Sequence, residues 1–486
     1  MKKTKGFKTL DIIILGIILV ISVGFRLYKI NTPLADYHSW RQVDTAAVAR
    51  NFVKNGFDLF HPRYDDISSI QSGQENPEGY RFVEFPVYNA VFALLYKYLP
   101  LTSLEIYGRL TTIFFSLIII GAIYYLCLKE EDRLTAITAS LIYSVFPFFV
   151  FFSRVILPET TATAFAFLAI LFIYLYFENN RTMQKYLLFS LSILSFSLSL
   201  LVKPTTIFYF IPLLYLFARK ERFNLFKRSS FYLYFILIVI PFGLWRLYIQ
   251  NYPQGIPPSD WLITHVNTYE GLKNIFFRPA FFRWIFFERI CVAIFGGFLS
   301  GFFLLGILNK PKKYFFYAIL TAAFVYLFTF QGGNIQHEYY QTIALPALAI
   351  FAGLGIAVVL RNGKQFLTPV LSSLIIIFFV GLSYFFAFYK VKDYYNFPPE
   401  LPQIANIINT LTKEDDKIVT DRLGDTTLLY LTGRKGAPAI YKDPDQLKDL
   451  GYNYLVTLNK DTIESIKQKG LYPVVFENDK FALFKL

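Results

Sequence analysis

The stretch ADYHSWRQVDTAAVARNF (35–52) carries Asp36, His38, Arg41, Asp44 and Arg50 within fifteen residues, directly after an apolar run long enough to cross a membrane. Ionisable groups at or inside a bilayer are costly, so each calls for a reason. Others follow along the chain: Glu84 in RFVEFPVYN, Arg109, Arg154 and Glu159 in SRVILPETT, Lys203 in LVKPTT, and His337 and Glu338 in GGNIQHEYYQ. Asp36, Asp44 and Glu84 are of the type that serves as general base toward a hydroxyl or an amine. Lys203, Arg41 and Arg154 suit a phosphate, Arg with a bidentate fork and Lys as a point charge. A phosphate leaving group held by such cations departs with its charge already stabilised and needs no proton donor. Carboxylates and cations together at a bilayer edge fit transfer of a group from a phospholipid-like carrier.

The same residues have structural uses. Arg50 and Arg109 can be snorkelling anchors or members of structural ion pairs. Trp40 and the pair Tyr339–Tyr340 suit an interfacial belt. Asp65 and Asp66 read as solvated loop charges, and His61-Pro62 as a turn. Glu159, just after Pro158, is a first-turn helix acid favoured by the helix dipole. GGFLSG (296–301) reads as a helix-packing motif. For a divalent metal the sequence offers His38, Asp36, Glu84 and His337, without the spacing of a local motif such as His-Glu-x-x-His. There is no Walker loop and no Gly-x-Gly-x-x-Gly, so nothing points to a soluble nucleotide site.

The elements that carry these groups are apolar. Of 486 residues, 55% are apolar, 19% aromatic and only 17% charged, a composition that excludes an ordinary soluble domain. Uncharged windows such as Leu187–Val202, Phe231–Leu244 and Thr368–Phe388 match what a hydrocarbon core of about 30 Å requires of a helix. Eleven spans are expected, near 10–29, 104–128, 134–151, 158–177, 187–202, 204–218, 231–249, 290–308, 314–330, 342–360 and 366–389. The pair around LVKPTT is either two spans or two half-helices. The first run lacks a small-x-small cleavage site and reads as a retained anchor.

Counted from a cytoplasmic N-terminus, the inner segments are KKTKGFK, KEEDR, ENNRTMQK, ARKERFNLFKRSS, NKPKK and RNGKQ, mostly Lys/Arg-rich as the positive-inside rule requires. The net charge of +14 therefore reports topology and not a nucleic-acid face. The loops 30–103 and 250–289 and the tail after 390 fall outside. Cys127 and Cys291 belong to opposite membrane faces, and no disulfide between them is expected.

The first outer loop holds two surface helices. One spaces Val43, Ala46, Ala47, Arg50 and Val53 at helical intervals, and the other is EFPVYNAVFALLYKYL (84–99). The tail 391–486 alternates strands (KIVTDR, YNYLVTL, YPVVFEN) with helices (ELPQIANIINTLTK, KDTIESIKQKG), which predicts a small extracytoplasmic α/β domain. The division expected is 1–390 for the membrane domain and 391–486 for the appended one.

HSWRQVDTAAVARNF after the first span, GYRFVEFPVYNAVFALLYKYL closing the loop, EIYGRLTTIFFSL, SRVILPETTATAF, LVKPTTIFYFIPLL and HEYYQTIALPALAIFAGLG together resemble the GT-C superfamily of polyprenyl-phosphate-sugar-dependent glycosyltransferases, over roughly residues 8–360. The bacterial protein O-mannosyltransferase-like enzymes and the lipid A aminoarabinose transferase are the most similar in pattern. The resemblance implies an all-α polytopic membrane fold with a long first outer loop. It also implies an acid early in that loop as catalytic base and a second acid where the second surface helix begins. Glu84 resembles the second acid. The slot of the first, an Asp-Glu pair in relatives, falls on Arg41-Gln42, and neither can be a base. The nearest carboxylates are Asp44 and Asp36, with Asp44 preferred because it shares the surface helix. Lys203 resembles the lysine that contacts the lipid phosphate. Arg154 and Glu159 match the Arg-x-x-x-Pro-acid stretch, and the tail resembles appended extracytoplasmic domains.

The resulting expectation is a cytoplasmic-membrane glycosyltransferase moving a sugar from a polyprenyl-phosphate carrier to a protein, lipid or glycan acceptor on the outer face, with inversion. Asp44, Asp36 and Glu84 would be catalytic; Lys203, Arg41, Arg154, His38, Glu159, His337 and Glu338 would bind lipid phosphate or substrate. A polymerase or ligase using lipid-diphosphate donors, and a transporter of lipid-linked sugars, are the rival readings. A transporter would place its ionisable groups at the bilayer midplane and repeat its halves.

Overall fold

The computed structural model describes residues 7–257, 278–310, 313–362 and 368–486. Half of the expected outer loop 250–289, the first six residues and parts of the expected inner segments NKPKK and RNGKQ lie outside the described residues. In chain order the helices are α1 (Thr9–Arg26), α2 (Ser39–Asn55), α3 (Val87–Tyr98), α4 (Leu104–Glu130), α5 (Arg133–Val145), α6 (Pro147–Phe152), α7 (Pro158–Glu178), α8 (Thr182–Val202), α9 (Phe210–Glu221) and α10 (Ser229–Tyr248). They continue with α11 (Pro279–Phe282), α12 (Leu299–Leu308), α13 (Phe315–Thr329), α14 (Gln331–Gln336), α15 (Leu345–Asn362), α16 (Pro369–Val391), α17 (Glu400–Leu411), α18 (Thr427–Thr432), α19 (Pro444–Asp449) and α20 (Lys460–Lys469).

The chain divides into two compact units. The first takes the residues up to Ile30, Arg109–Trp245 and the described part of 259–393. It is a helical membrane unit. Among the described residues, six helices are long and apolar enough to cross a bilayer, or seven if the bent pair Pro279–Ile294 and Leu299–Leu308 is one span. Helices α5, α13 and α15 are apolar but shorter, and the segment expected at 204–218 is a 3-10 turn (Pro204–Tyr209) leading into α9. The protein is thus a multi-pass, mostly helical membrane protein.

Local chemistry explains the breaks. Pro204 has no N–H to continue α8, and a residue before proline is pushed out of the helical region. Lys203 accordingly sits extended at φ −153° and ψ 103°, so α8 stops there. At the 116° bend Gly296 and Gly297 have φ of +60° and +90°. A Cβ on Gly296 would lie 1.8 Å from the Ser383 carbonyl oxygen, so GGFLSG is both a hinge in the chain and a close approach to α16. Glu130 ties helix ends together: its carboxylate receives the Tyr174 hydroxyl at 2.6 Å, Arg219 at 3.0 Å and Lys313 at 3.2 Å. Cys127 is buried, Cys291 is partly buried, and both are free thiols.

The second unit takes Asn31–Gly108, Arg246–Pro258 and Tyr394–Leu486, so the first loop and the tail are one body. Its sheet has strands β1 (Ile418–Thr420), β2 (Gly436–Ala437), β3 (Tyr454–Thr457), β4 (Val474–Glu477) and β5 (Ala482–Lys485) in the order β2-β1-β3-β5-β4. β1 runs parallel to β2 and β3, and β5 antiparallel to β3 and β4. Alternation along β3 sends Leu455 to one face and Val456 to the other. Val456 packs with Ile404 and Ile408 of α17; Leu455 packs with Ile463 and Ile466 of α20 and with Ile67 of the first loop. That loop also covers the sheet edge: Gly436 N–H donates to the Asp65 carbonyl and Ile67 N–H to the Gly436 carbonyl, each at 2.9 Å.

Helix α2 is buried on most of its circumference, including Arg41, Gln42, Asp44 and Thr45. Small residues at Ala46, Ala47 and Ala49 let α3 and α18 pack against it. Asp65 and Asp66, expected in solvent, are 5% and 0% exposed. The correction has a clear cause: the tail folds over them.

Candidate active site

Arg41, Asp44, Thr45 and Val48 stand at i, i+3, i+4 and i+7 on α2 and so share one face. They line a narrow cleft together with Pro62, Arg81, Glu84, Pro86 and Asn89. Asn89 fixes α3 to α2 by donating its Nδ2 to the Thr45 carbonyl at 2.7 Å. In this cleft charges alternate. Arg41 donates Nη2 to Glu84 Oε1, and Arg81 Nη2 lies 2.9 Å from Asp44 Oδ2. The other Asp44 oxygen accepts the Thr426 hydroxyl at 2.6 Å. Burial raises the proton affinity of Asp44 above the usual carboxylate range, Arg81, Thr426 and Arg41 pull it back, and Asp65 adds to the rise.

Asp36 lies just before α2, and its Oδ1 accepts from Gln42 Nε2 at 2.7 Å. The Arg41-Gln42 pair thus holds two of this chain's three candidate carboxylates. His38 precedes α2 in the left-handed region, φ 55°, with its ring 4.2 Å from that of Tyr37. Asp66 is buried near Asp44; burial pushes its carboxyl up to about 7 against the hydrogen bonds from Ser68 N and Oγ at 2.9 and 2.6 Å. His61 is more than a turn residue: it bonds Asp58 at 2.8 Å and the Tyr248 hydroxyl at 2.8 Å.

In the membrane unit a second polar cluster forms where helices break. Pro158 opens α7, so Glu159 falls in its first turn. The break after α8 delivers Lys203 to it, with Nζ 2.7 Å from Glu159 Oε1 and 5.5 Å from the Tyr340 ring centroid. The Tyr326 hydroxyl donates to the Tyr340 carbonyl, and the His337 ring stacks on Tyr339 at 5.4 Å. Glu338 pairs with Arg289. Arg154 donates to the carbonyls of Tyr28 at 2.7 Å and Lys29 at 3.2 Å, and Arg109 to that of Ile30 at 2.5 Å. Both arginines therefore hold the turn that follows α1, and a phosphate at Arg154 would compete with those carbonyls.

Among the described residues no three His, Cys, Asp or Glu side chains gather as a metal site, so His38, Glu84 and His337 gain no support as ligands. Sequence reading missed Arg81, Thr426 and Arg289. Arg81 stands three residues before Glu84 between aromatics, and Arg289 interrupts an apolar run, so both carried a signal. Thr426 carried none.

The dolichyl-phosphate-mannose-protein mannosyltransferase family matches residues 86–245. No curated protein sequence matches significantly. Among solved structures, ArnT from Cupriavidus metallidurans bound to undecaprenyl phosphate superposes with a TM-score of 0.66 at 13% identity, over 96% of this chain and 97% of that one. The archaeal oligosaccharyltransferase AglB from Archaeoglobus fulgidus, in complex with an inhibitory peptide and a dolichol-phosphate, gives 0.58 at 12% over 92% and 69%. The arabinofuranosyltransferase AftD from Mycobacteria gives 0.56 at 14% over 92% and 36%. The polytopic helical unit, the appended small sheet and the likeness to these proteins together identify the chain as one with the GT-C glycosyltransferase fold.

Proposed function

We propose that this protein transfers a sugar from a polyprenyl-phosphate carrier to a hydroxyl or amine on a protein, lipid or glycan acceptor, with the reaction on the extracytoplasmic side and the N-terminus in the cytoplasm. The observation that carries the chemistry is the cleft in which Asp44 and Glu84 stand on neighbouring walls. The fold likeness to a protein bound to undecaprenyl phosphate supports the donor class.

In this reading Asp44 is the base. Its raised proton affinity suits a group that must take a proton near neutral pH. The acceptor oxygen or nitrogen loses its proton to Asp44 and bonds the anomeric carbon as the bond from that carbon to the phosphate oxygen breaks. The electron pair leaves with the phosphate, which goes from a singly charged diester to a monoester. Backside attack inverts the anomeric centre. Glu84, held by Arg41, orients the acceptor. Lys203, paired with Glu159, is assigned to the lipid phosphate as a point charge. His337 and Glu338, which adjoin the tyrosine pair that Lys203 faces, are assigned to the donor side. Asp36, held by Gln42, supports the start of α2.

The test is reconstitution in liposomes with radiolabelled polyprenyl-phosphate and polyprenyl-diphosphate sugars. Wild type is compared with Asp44→Asn, Glu84→Gln and Asp36→Asn. Transfer from the monophosphate donor, lost by at least about a hundredfold in Asp44→Asn, is the expected result. Full transfer in all three variants overturns the assignment, and transfer from the diphosphate donor alone overturns the donor class.

A further inference from the structure

The tail reaches the cleft at Thr426, the residue that precedes α18. Thr426, the residue before the helix, places its Oγ1 2.6 Å from Asp44 Oδ1 and 3.3 Å from the Trp40 carbonyl. A threonine hydroxyl has one proton, and the shorter, charged acceptor takes it. The position of Thr426 does not depend on that bond. The next residue, Thr427, donates to Ser39 Oγ at 2.9 Å. One turn on, Arg50 donates to the Tyr430 carbonyl at 2.7 Å and lies 4.2 Å over the Tyr430 ring, and the Tyr430 hydroxyl donates to Glu105 at 2.7 Å. Past the helix, Gly436 pairs with the loop at Asp65 and Ile67. Contacts along ten residues of the tail, with Ser39 and Arg50 of α2, Glu105 of α4 and the loop at Asp65 and Ile67, thus fix the register of this segment.

We propose that Thr426, in the C-terminal segment, is a positioning residue for the transfer: its hydroxyl fixes the rotamer of Asp44 in the cleft and sets the pH at which Asp44 gives up its proton. The proposal rests on Asp44 being the base. The groups around that carboxylate are Arg81 and Arg41 on the cationic side, and Asp65, Asp66 and Tyr64 on the other. Arg81 occupies Oδ2, so Thr426 alone among the contacts described holds Oδ1. The hydroxyl can donate to the ionised carboxylate, and it stabilises that form against a burial that favours the protonated one. An ionised carboxylate accepts about four hydrogen bonds, so these two contacts do not exhaust the acceptor capacity of Asp44. The role assigned to the tail is then specific: it supplies one hydroxyl to the base.

Thr426→Val removes the hydroxyl at nearly constant shape, Thr426→Ser restores it, and Thr427→Val removes a neighbouring bond of the same kind. Two readouts are taken on the full chain. The first is independent of activity: the pH dependence of the stability difference between each variant and the same variant carrying Asp44→Asn, which reads the titration of Asp44. The second is the acid limb of the kcat/KM profile. Loss of one hydrogen bond to a charged group moves both midpoints up by about one pH unit in Thr426→Val, and Thr426→Ser and Thr427→Val stay at the wild-type value. A Thr426→Val midpoint equal to wild type overturns the proposal. So does the same shift in Thr427→Val, which would make the effect a general loosening of α18. A stability shift in Thr426→Val without transfer by the wild type would count against the reaction and leave the hold on Asp44 standing.

Discussion

Removing Arg81 should expose what the buried pair in the cleft is worth. In Arg81→Met the side chain keeps most of its length, but Asp44 loses the guanidinium at 2.9 Å. The two side chains are 8% and 2% exposed, so solvent screens little of the interaction. Breaking one partner of such a buried pair costs about 3–5 kcal/mol, because the remaining charge is left uncompensated. Loss of the guanidinium over the Tyr64 ring, 4.8 Å away, adds about 0.5–1 kcal/mol. The cost must depend on pH. Asp44 already has a raised proton affinity in the folded chain, so its contribution is full below the unfolded carboxylate value and declines as pH rises through the folded one. Without Arg81 the folded value climbs further, and the deficit widens with pH. Denaturant titration in detergent micelles at pH 5 and pH 8 is the assay, run on wild type, Arg81→Met, Asp44→Asn and the double variant. The expected loss in Arg81→Met is about 3 kcal/mol or more at pH 8 and clearly less at pH 5, with a coupling to Asp44 of about 2 kcal/mol. A coupling under about 0.5 kcal/mol at pH 8 would refute the claim that the pair is desolvated.

Asp66 should make stability fall as pH rises from about 4 to 7, because its carboxyl is held protonated to about 7 in the folded chain; Asp66→Asn should flatten that slope, by an amount on the order of 4 kcal/mol at full development. Equal slopes in the two proteins, measured by denaturant titration against pH, would count against it. Gly355→Ala should separate α12 from α15, because a Cβ there would lie 1.7 Å from the Phe302 carbonyl oxygen; a lowered thermal midpoint and a loss of at least about 1–3 kcal/mol are expected, against little change for Gly381→Ala, where nothing lies within 4 Å.

What the sequence disclosed follows local chemistry. The stop at Lys203 was legible because proline rules act on adjacent residues, and α2 and α3 because their apolar spacing is helical. The strands in KIVTDR and YNYLVTL were legible as β-branched runs, whereas FALFK, which forms β5 between them and YPVVFEN in the sheet, was too short and flanked by charge. The burial of Asp65 and Asp66 was not legible, since their partner Gly436 lies some 370 residues on in a segment that looks self-contained. Thr426 was hidden for the same reason: a threonine before a short helix looks like any cap. For Arg41 and Gln42 the sequence showed only that neither can be a base. It took the fold to show that they hold Glu84 and Asp36.

The seam between loop and sheet also has a consequence for how the molecule is made. The segment that emerges early from the ribosome, residues 65–67, finds its neighbour Gly436 only when nearly all later helices have been delivered to the bilayer. Throughout that interval Ile67 lacks the sheet that covers it, and Asp44 lacks the Thr426 hydroxyl until the chain has passed that residue. A chain halted before Thr426 therefore threads its helices but leaves Asp44 without that hydroxyl.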